Sequence, residues 1–538
     1  MDNIAHALTR QAQRQPDAPA LIIPIKPIAG GWKDKRYSYQ ELETLSNELA
    51  AGLHHHGLTP GTRVALMVPP SLEFFALFFA LFKAGCVPVL IDPGIGLKPL
   101  KTCLAEAQPQ AFVGVPKAQI ARWLFGWAKH TIKTSITVGP TLGGLSYKSL
   151  LKAGRQAEQA RPTPHTKPDD AAAILFTSGS TGIPKGVVYR HRHFVAQVDL
   201  IQRSYAIQPG EVDCPTFPPF ALFDPALGMT TVIPKMDFTR PAKVDPKMLV
   251  SLIQHYGVTN LFGSPALMHT LSTYTKANKI KLPGLKRVLS AGAPVQPKVI
   301  ERMHLALSEH ADLHTPYGAT ECLPVATVSG REILSGLAAR HRNGQGICVG
   351  KPLPENQVIL IAISDEPIEL KEHATVLGPN QIGEICVSGP SVTDQYWQRP
   401  AQTQAAKMTD ANGTIWHRMG DLGWQDEQGR LWFCGRKSER VPTEHGELYT
   451  ECVEGPVNAV PGVYRSALVE WPKQSQTPAV VLELEPNADQ AAVIEEVKTV
   501  LKARPHSQHI DTVRVHSPFP VDIRHNAKIR RQELADKL

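Results

Sequence analysis

The densest concentration of chemically useful side chains is Phe176-Thr-Ser-Gly-Ser-Thr-Gly-Ile-Pro-Lys-Gly186, with three glycines, four hydroxyls and one lysine in eleven residues. Ile174-Leu175-Phe176 reads as the end of a buried strand, and Val187-Val188-Tyr189 as the start of another. A Gly/Ser/Thr-rich turn between strands exposes backbone N–H groups, and Lys185 adds a mobile positive charge. These are the parts needed to hold a polyphosphate. A Walker loop requires Gly-Lys-Ser/Thr, and Pro184 precedes the lysine here, so the P-loop reading fails. A polar hairpin that holds nothing is the alternative, but turn chemistry alone does not ask for this density.

Further stretches carry complementary chemistry. Ser290-Ala-Gly-Ala-Pro294 follows a strand and offers a small-residue turn that a flat ring could approach closely. Tyr317-Gly-Ala-Thr-Glu321 joins an aromatic face, a hydroxyl and a carboxylate. Gly420-Asp421 follows His417-Arg418-Met419, and Gly435-Arg436 lies beyond a predicted hairpin. Asn526-Ala-Lys-Ile-Arg-Arg531 places Lys528 on a short loop. Taken singly, an aspartate after glycine is a turn residue and a lone lysine is solvated.

The elements that must position these groups follow from periodicity. Leu42, Leu45, Leu49 and Leu53 recur at three- and four-residue steps, an amphipathic helix capped by Ser38. Val64–Val68 and Cys86–Asp92 read as strands flanking a helix built on Phe74–Phe82. That apolar run is too short to cross a bilayer, so it is predicted to be a core helix, with docking on a membrane surface left open. The strand–helix alternation recurs at 111–115, 135–138, 258–264 and 286–290, and predicts a parallel α/β architecture. Residues 140–170 are polar and read as a surface connection. From about 345 to 436, short strands separated by Pro, Gly and Asn turns predict a β-rich subdomain. After the charged break at 436–440, strands and a helix near 489–503 form a small α+β unit. The expectation is α/β: a large N-terminal domain (1–436) of parallel α/β subdomains plus the β-rich part, and a small mobile α+β C-terminal lid (437–538).

Composition narrows the function class. A chain of 538 residues with 42% hydrophobic and 20% charged residues can bury several cores and has globular character. Its net charge of +8 is spread without a dense basic block, which favours a solvated basic surface over nucleic-acid binding. The eight cysteines form no Cys-x-x-Cys pair and are predicted to be small buried residues in a reducing compartment. The N-terminus shows no signal-peptide pattern, and the expected location is cytoplasmic, with no transmembrane segment.

In order and spacing, the six motifs resemble the adenylate-forming superfamily of acyl-CoA synthetases, luciferases and nonribosomal peptide adenylation domains, over essentially the whole chain. The resemblance implies ATP and Mg²⁺ as cofactors. Thr177, Ser178, Gly179, Ser180, Thr181, Gly182 and Lys185 would hold the β- and γ-phosphates, and Ala291, Gly292, Ala293, Tyr317 and Gly318 would line the nucleotide pocket. Thr320 would contact the α-phosphate and Glu321 would ligate Mg²⁺. Asp421 would take the ribose hydroxyls with help from Arg436. Lys528 would bridge the substrate carboxylate and the α-phosphate region. Lys528, Glu321, Thr320 and Lys185 form the implied catalytic set.

The chain departs from the superfamily where the adenylate is consumed. Pro442 and His445 stand where a lysine and a glycine are usual, Ser438 occupies the hinge position, and Ala221 replaces a usual histidine. These changes weaken the case for a coenzyme A or carrier-protein acceptor. Tyr189–Phe194, Pro218–Gly228, Thr315–Pro324 and Phe519–Ile529 are closely similar to the olefin β-lactone synthetases of bacterial long-chain olefin biosynthesis. That family implies a 2-alkyl-3-hydroxy fatty acid (a β-hydroxy acid) as substrate. It also implies association with a thiolase, an NADPH-dependent reductase and a β-lactone decarboxylase. Phe217, Phe220, Ala221, Leu222, Phe223, Phe262 and Met268 would wall an apolar acyl tunnel. His191, His193 and Asp224 are candidates for a base near the hydroxyl. The alternatives are a long-chain acyl-CoA or acyl-ACP ligase, and a member that binds nucleotide or acyl chain without turnover.

Overall fold

The computed structural model describes residues 3–141, 143–157, 166–176, 184–472, 475–521 and 528–538. The fold is α/β. One sheet of seven strands has the order Leu145–Ser146, Thr134–Thr137, Ala111–Gly114, Arg63–Met67, Val87–Ile91, Ala171–Phe176, Gly186–Arg190. All its neighbours are parallel except the last pair, where Phe176 faces Gly186 in an antiparallel register. The predicted strands on either side of the Gly/Ser/Thr-rich stretch are therefore this pair.

The second sheet has fourteen strands. Its parallel part runs from Pro19–Ile28 through Thr230–Val232, Val212–Pro215, Asn260–Gly263 and Arg287–Ser290 to Asp312–Ala319. Asp312–Ala319 then pairs antiparallel with Cys322–Ser329, and Ile347–Pro352 carries the sheet on into antiparallel strands between Gln357 and Arg436. The switch in pairing thus precedes the change in composition at 345. Beyond it, Val463–Glu470, Pro478–Leu484 and Thr512–Val515 form a three-stranded sheet, with the Gln490–Lys502 helix on its own core.

The Tyr39–His55 helix begins as predicted: Ser38 accepts from Glu41 N–H, and the Glu41 carboxylate accepts from Ser38 N–H. The Leu72–Lys83 helix is buried from Phe74 to Lys83. Its terminal ammonium is satisfied by Glu43 Oε2 at 2.6 Å, Ser46 Oγ at 2.8 Å and Asn47 Oδ1 at 2.8 Å, which ties it to Tyr39–His55. The phenylalanine run is therefore core. All eight cysteines are buried and unpaired, and among the described residues no helix is long and apolar enough to cross a membrane.

The stretch 140–170 differs from expectation. It holds the short strand Leu145–Ser146 and the Tyr147–Gln156 helix, capped by Ser146. Its polar composition hid it because only Leu150 and Gly154 are buried. Contact with Tyr39–His55 is made through glycines instead: a Cβ on Gly154 would lie 1.8 Å from the Glu48 carbonyl oxygen, and one on Gly52 2.2 Å from that of Leu150.

Candidate active site

A cleft of about 3000 Å³ opens between the two large sheets and the C-terminal unit. Ser290, Ala291, Gly292 and Ala293 line it at the end of Arg287–Ser290. Gly292 takes φ +96°, a left-handed turn that favours glycine. Tyr317 and Gly318 line it from the end of the Asp312–Ala319 strand, and Thr320 and Glu321 from the turn that follows. Asp421 and Arg436 face each other in register on neighbouring strands. Tyr317 Oη donates to Asp421 Oδ2 at 2.7 Å, and Arg436 Nη1 lies 2.8 Å from Asp421 Oδ1. The Arg436 contact is an ion pair without hydrogen-bond alignment, so Oδ1 is buried with no donor among the described residues. Burial raises the Asp421 pKa against the pull of Arg436, and burial with the Asp421 carboxylate pushes the Tyr317 phenol well above its usual range. The result is an aromatic slab beside a carboxylate, one oxygen of which accepts no aligned hydrogen bond among the described residues.

Glu321 is fixed from several sides. Tyr396 Oη donates to Glu321 Oε1 at 2.6 Å. Thr393 holds the Glu321 carbonyl through its N–H at 2.9 Å and its hydroxyl at 3.0 Å. The buried Lys407 ammonium donates to the Thr393 carbonyl, and burial pushes its pKa down to about 8 against the pull of Glu321. Tyr189 Oη donates to the Thr320 carbonyl and accepts from Gln197 at 3.3 Å. Lys185 Nζ lies 4.9 Å from the centre of the Tyr396 ring. Lys185, Thr320 and Glu321 thus converge, whereas Thr177, Ser178, Gly179, Ser180, Thr181 and Gly182 lie outside the described residues. Sequence reasoning missed Tyr396, Thr393 and Lys407. The only available signal was an aromatic pair, Tyr396-Trp397, in a loop.

The apolar arm of the cleft is aromatic. Phe217, Phe220, Leu222, Phe223 and Phe262 line it. Phe220 stacks on Phe262 with ring centres 4.0 Å apart, and Phe223 leads to Phe194 and then Tyr189. Ala221 does not line the cleft; it is buried in the main core behind this wall. Met268 is buried in the second core.

The three candidate bases are placed away from the open cleft. His191 is buried against Phe82, and its Nδ1 accepts from Ile4 N–H at 3.4 Å. Burial pushes its pKa down to about 4. His193 accepts from Arg190 N–H at 3.0 Å and faces Asp394, which Arg190 and Arg192 also engage. Asp224 sits in the core beside Asp213, with Thr231 donating to it at 3.0 Å and Asn260 donating to Asp213 at 2.6 Å. Burial raises the pKa of both aspartates, which keeps a proton on the pair.

Lys528 lines the same cleft as Glu321 and Asp421. The adjoining Arg531 is clamped by Glu454 at 2.7 Å and Glu439 at 3.0 Å. Burial opposes its charge, but the two carboxylates outweigh burial and raise its pKa. Ser438 also lines the cleft, within the Lys437–Glu439 turn, where Lys437 bonds the Ser364 carbonyl at 2.8 Å. Pro442 and His445 are exposed on the hairpin of Val441–Thr443 and Gly446–Leu448, off the cleft lining.

The donor set fits the implied groups. Asp421 Oδ1, which accepts no aligned hydrogen bond among the described residues, suits a ribose hydroxyl. Glu321 offers a single carboxylate in the cleft, and no cluster of three metal-ligating side chains exists among the described residues. That is how Mg²⁺ is held when substrate phosphates and water complete its shell.

Comparison with known proteins agrees with this geometry. A family model of AMP-binding enzymes matches residues 8–397. An olefin beta-lactone synthetase of Xanthomonas campestris pv. campestris is 49% identical, with 99% of this chain and 97% of that protein aligned. One from Stenotrophomonas maltophilia is also 49% identical, with the same coverage of 99% and 97%. The amide bond synthetase McbA of Marinactinospora thermotolerans superposes with a TM-score of 0.80 over 99% of each chain at 22% identity, a likeness of fold alone. The chain therefore belongs to the AMP-binding, adenylate-forming enzymes, and within them to the family of the olefin beta-lactone synthetases.

Proposed function

We propose that this protein uses ATP to adenylate a 2-alkyl-3-hydroxy fatty acid and then closes a β-lactone. The observation that carries the reading is the single cleft, which joins the Tyr317–Asp421–Arg436 cradle, Glu321 and Lys528 to the aromatic arm of Phe217, Phe220 and Phe262. In the first step a substrate carboxylate oxygen bonds the α-phosphorus and pyrophosphate leaves. The approach of two anions is the barrier, and Lys528 and Lys185, which both line the cleft, offset it. Mg²⁺, when bound at Glu321, adds charge neutralisation on the phosphates. Asp421 and Tyr317 hold the nucleoside, and Thr320 faces the α-phosphate. In the second step the substrate's own 3-hydroxyl oxygen bonds the acyl carbon, the acyl–AMP bond breaks, and the hydroxyl proton is lost to solvent or to phosphate. Because the hydroxyl is tethered, no acceptor need bind, and a held conformer can reach effective molarities of about 10⁵–10⁸ M.

The same reading makes residues 437–538 a lid that presents Lys528 in this orientation. It also places the enzyme in the cytoplasm beside a thiolase, an NADPH-dependent reductase and a β-lactone decarboxylase. Its test is a product assay by proton NMR with purified protein, ATP, Mg²⁺ and the hydroxy acid, with and without coenzyme A. A β-lactone with AMP and pyrophosphate is expected in both. A thioester formed only with coenzyme A would establish the acyl-CoA ligase instead. Lys528→Ala is expected to lower adenylation by about a hundredfold or more while nucleotide still binds; unchanged turnover would remove Lys528 from the mechanism.

A further inference from the structure

The Pro116–Phe125 helix carries its apolar face outward. Ile120, Trp123 and Leu124 recur at helical spacing and are 47%, 78% and 62% exposed, and Phe125 continues the patch. The inner side is fastened by a polar residue instead: Gln119 is buried, donates to the Ile136 carbonyl at 2.9 Å and accepts from Ser135 Oγ at 2.8 Å. Ala118 and Ala121 complete the inward packing. A helix built this way gains nothing from its large side chains unless something covers them.

Charge says what would cover them. Between Glu106 and Glu158 the chain has no Asp or Glu, while Lys117 in the helix and Lys129 and Lys133 just after it in sequence are exposed. Glu106 itself is neutralised by Arg399 at 2.6 Å. Protein interface cores are depleted in lysine, whereas exposed tryptophan, leucine and phenylalanine with lysines near them in sequence and no acidic residue between match the boundary of an anionic bilayer.

The patch is also continuous with the cleft. Phe125 stacks on Trp127, and Trp127, Lys117 and Ala118 line the cleft, as does the half-exposed Leu97. We infer that the Pro116–Phe125 helix docks this protein on an anionic lipid surface, with the cleft edge at Trp127 and Leu97 facing the membrane. Its purpose rests on the proposed function, because an acid with two alkyl chains resides in the bilayer. The docking itself does not depend on that reading.

The test is flotation of the purified full chain with vesicles of phosphatidylcholine alone and of phosphatidylcholine with phosphatidylglycerol. The wild type is expected to float with the phosphatidylglycerol vesicles, and less so as salt rises. Trp123→Ser/Leu124→Ser is expected to lower that binding by about tenfold or more, and Lys129→Glu/Lys133→Glu to weaken it similarly. Both variants should keep the wild-type melting curve and pyrophosphate release on a short-chain hydroxy acid, since these side chains are exposed. Flotation equal to wild type in both variants, or none with any vesicle, would overturn the inference. So would self-association, measured by sedimentation velocity, that the Trp123→Ser/Leu124→Ser variant abolishes while vesicle binding stays intact; the face would then join copies of this chain. Failure of β-lactone formation with flotation intact would overturn the proposed reaction and leave the docking standing.

Discussion

Glu321 is positioned by groups whose own chemistry is silent in the sequence. Tyr396 donates to one carboxylate oxygen while its ring faces Lys185. Burial and then Glu321 keep that phenol protonated far beyond working pH. Tyr396→Phe keeps the ring and removes a charge-assisted hydrogen bond worth about 1.5–3 kcal/mol. We expect a fall in kcat of about tenfold and a rise in the Mg²⁺ concentration for half-maximal rate, read by pyrophosphate release; an unchanged Mg²⁺ titration would make Tyr396 structural only. His191 behaves differently. Its folded pKa of about 4 lies below the ordinary value of 6.5, so the unfolded chain takes up the proton first as pH falls. Stability contributed by the neutral ring is complete above about pH 6.5 and lost on the way down to about pH 4, by up to about 3 kcal/mol. His191→Asn retains an acceptor for Ile4 N–H and should flatten that part of the stability–pH curve in urea titrations. Equal slopes in both proteins would contradict the assignment. The motif stretches stood out because runs dense in glycine, hydroxyl and charged side chains are visible in the sequence, while the roles expected of them came from their order, which resembles that of a known family. Tyr396 and Lys407 did not stand out, because their role exists only once the 393–407 segment folds back on Glu321.

At the scale of elements, periodicity read the strands and the Tyr39–His55 helix well, since those bury large side chains at regular spacing. It failed for Tyr147–Gln156, whose contact with Tyr39–His55 is made by the absence of side chains. The Gly154 Cα lies so close to the Glu48 carbonyl that a methyl group would sit 1.8 Å from its oxygen. Gly154→Ala should therefore part the two helices and cost about 3 kcal/mol, despite the higher helix propensity of alanine. A urea midpoint at or above wild type would show that the helices can slide at no cost. The Leu72–Lys83 run posed the opposite problem: its uniform hydrophobicity predicted a core helix but left docking on a membrane surface open. The fold resolves it by burying that helix and exposing Pro116–Phe125, whose shorter apolar stripe attracted no notice in the sequence.

At the scale of the molecule, one cleft is assembled from two sheets and a C-terminal unit, and buried ion pairs stand at the joint between them beside the Leu422–Cys434–Cys452 cluster. Arg531, three residues after Lys528, is buried between Glu454 of the Thr450–Val457 helix and Glu439 of the turn at the boundary. Lys437 and Arg418 both engage the buried Glu384 on the other side of that turn. A buried pair of this kind is costly to break from one side, about 3–5 kcal/mol, because the partner charge is left unpaired. Arg531→Met should accordingly lower the melting temperature and displace Lys528. Nucleotide binding at Tyr317 and Asp421 should persist, while kcat for adenylation falls toward that of Lys528→Ala. Adding Glu454→Gln removes the stranded charge yet keeps an acceptor for Leu468 N–H, now bonded at 2.7 Å. The double variant should regain most of the melting temperature without regaining kcat. If activity returns together with stability, Arg531 serves only to hold the fold. If stability returns and activity does not, the Glu439–Arg531–Glu454 cluster is what aims Lys528 into the cleft.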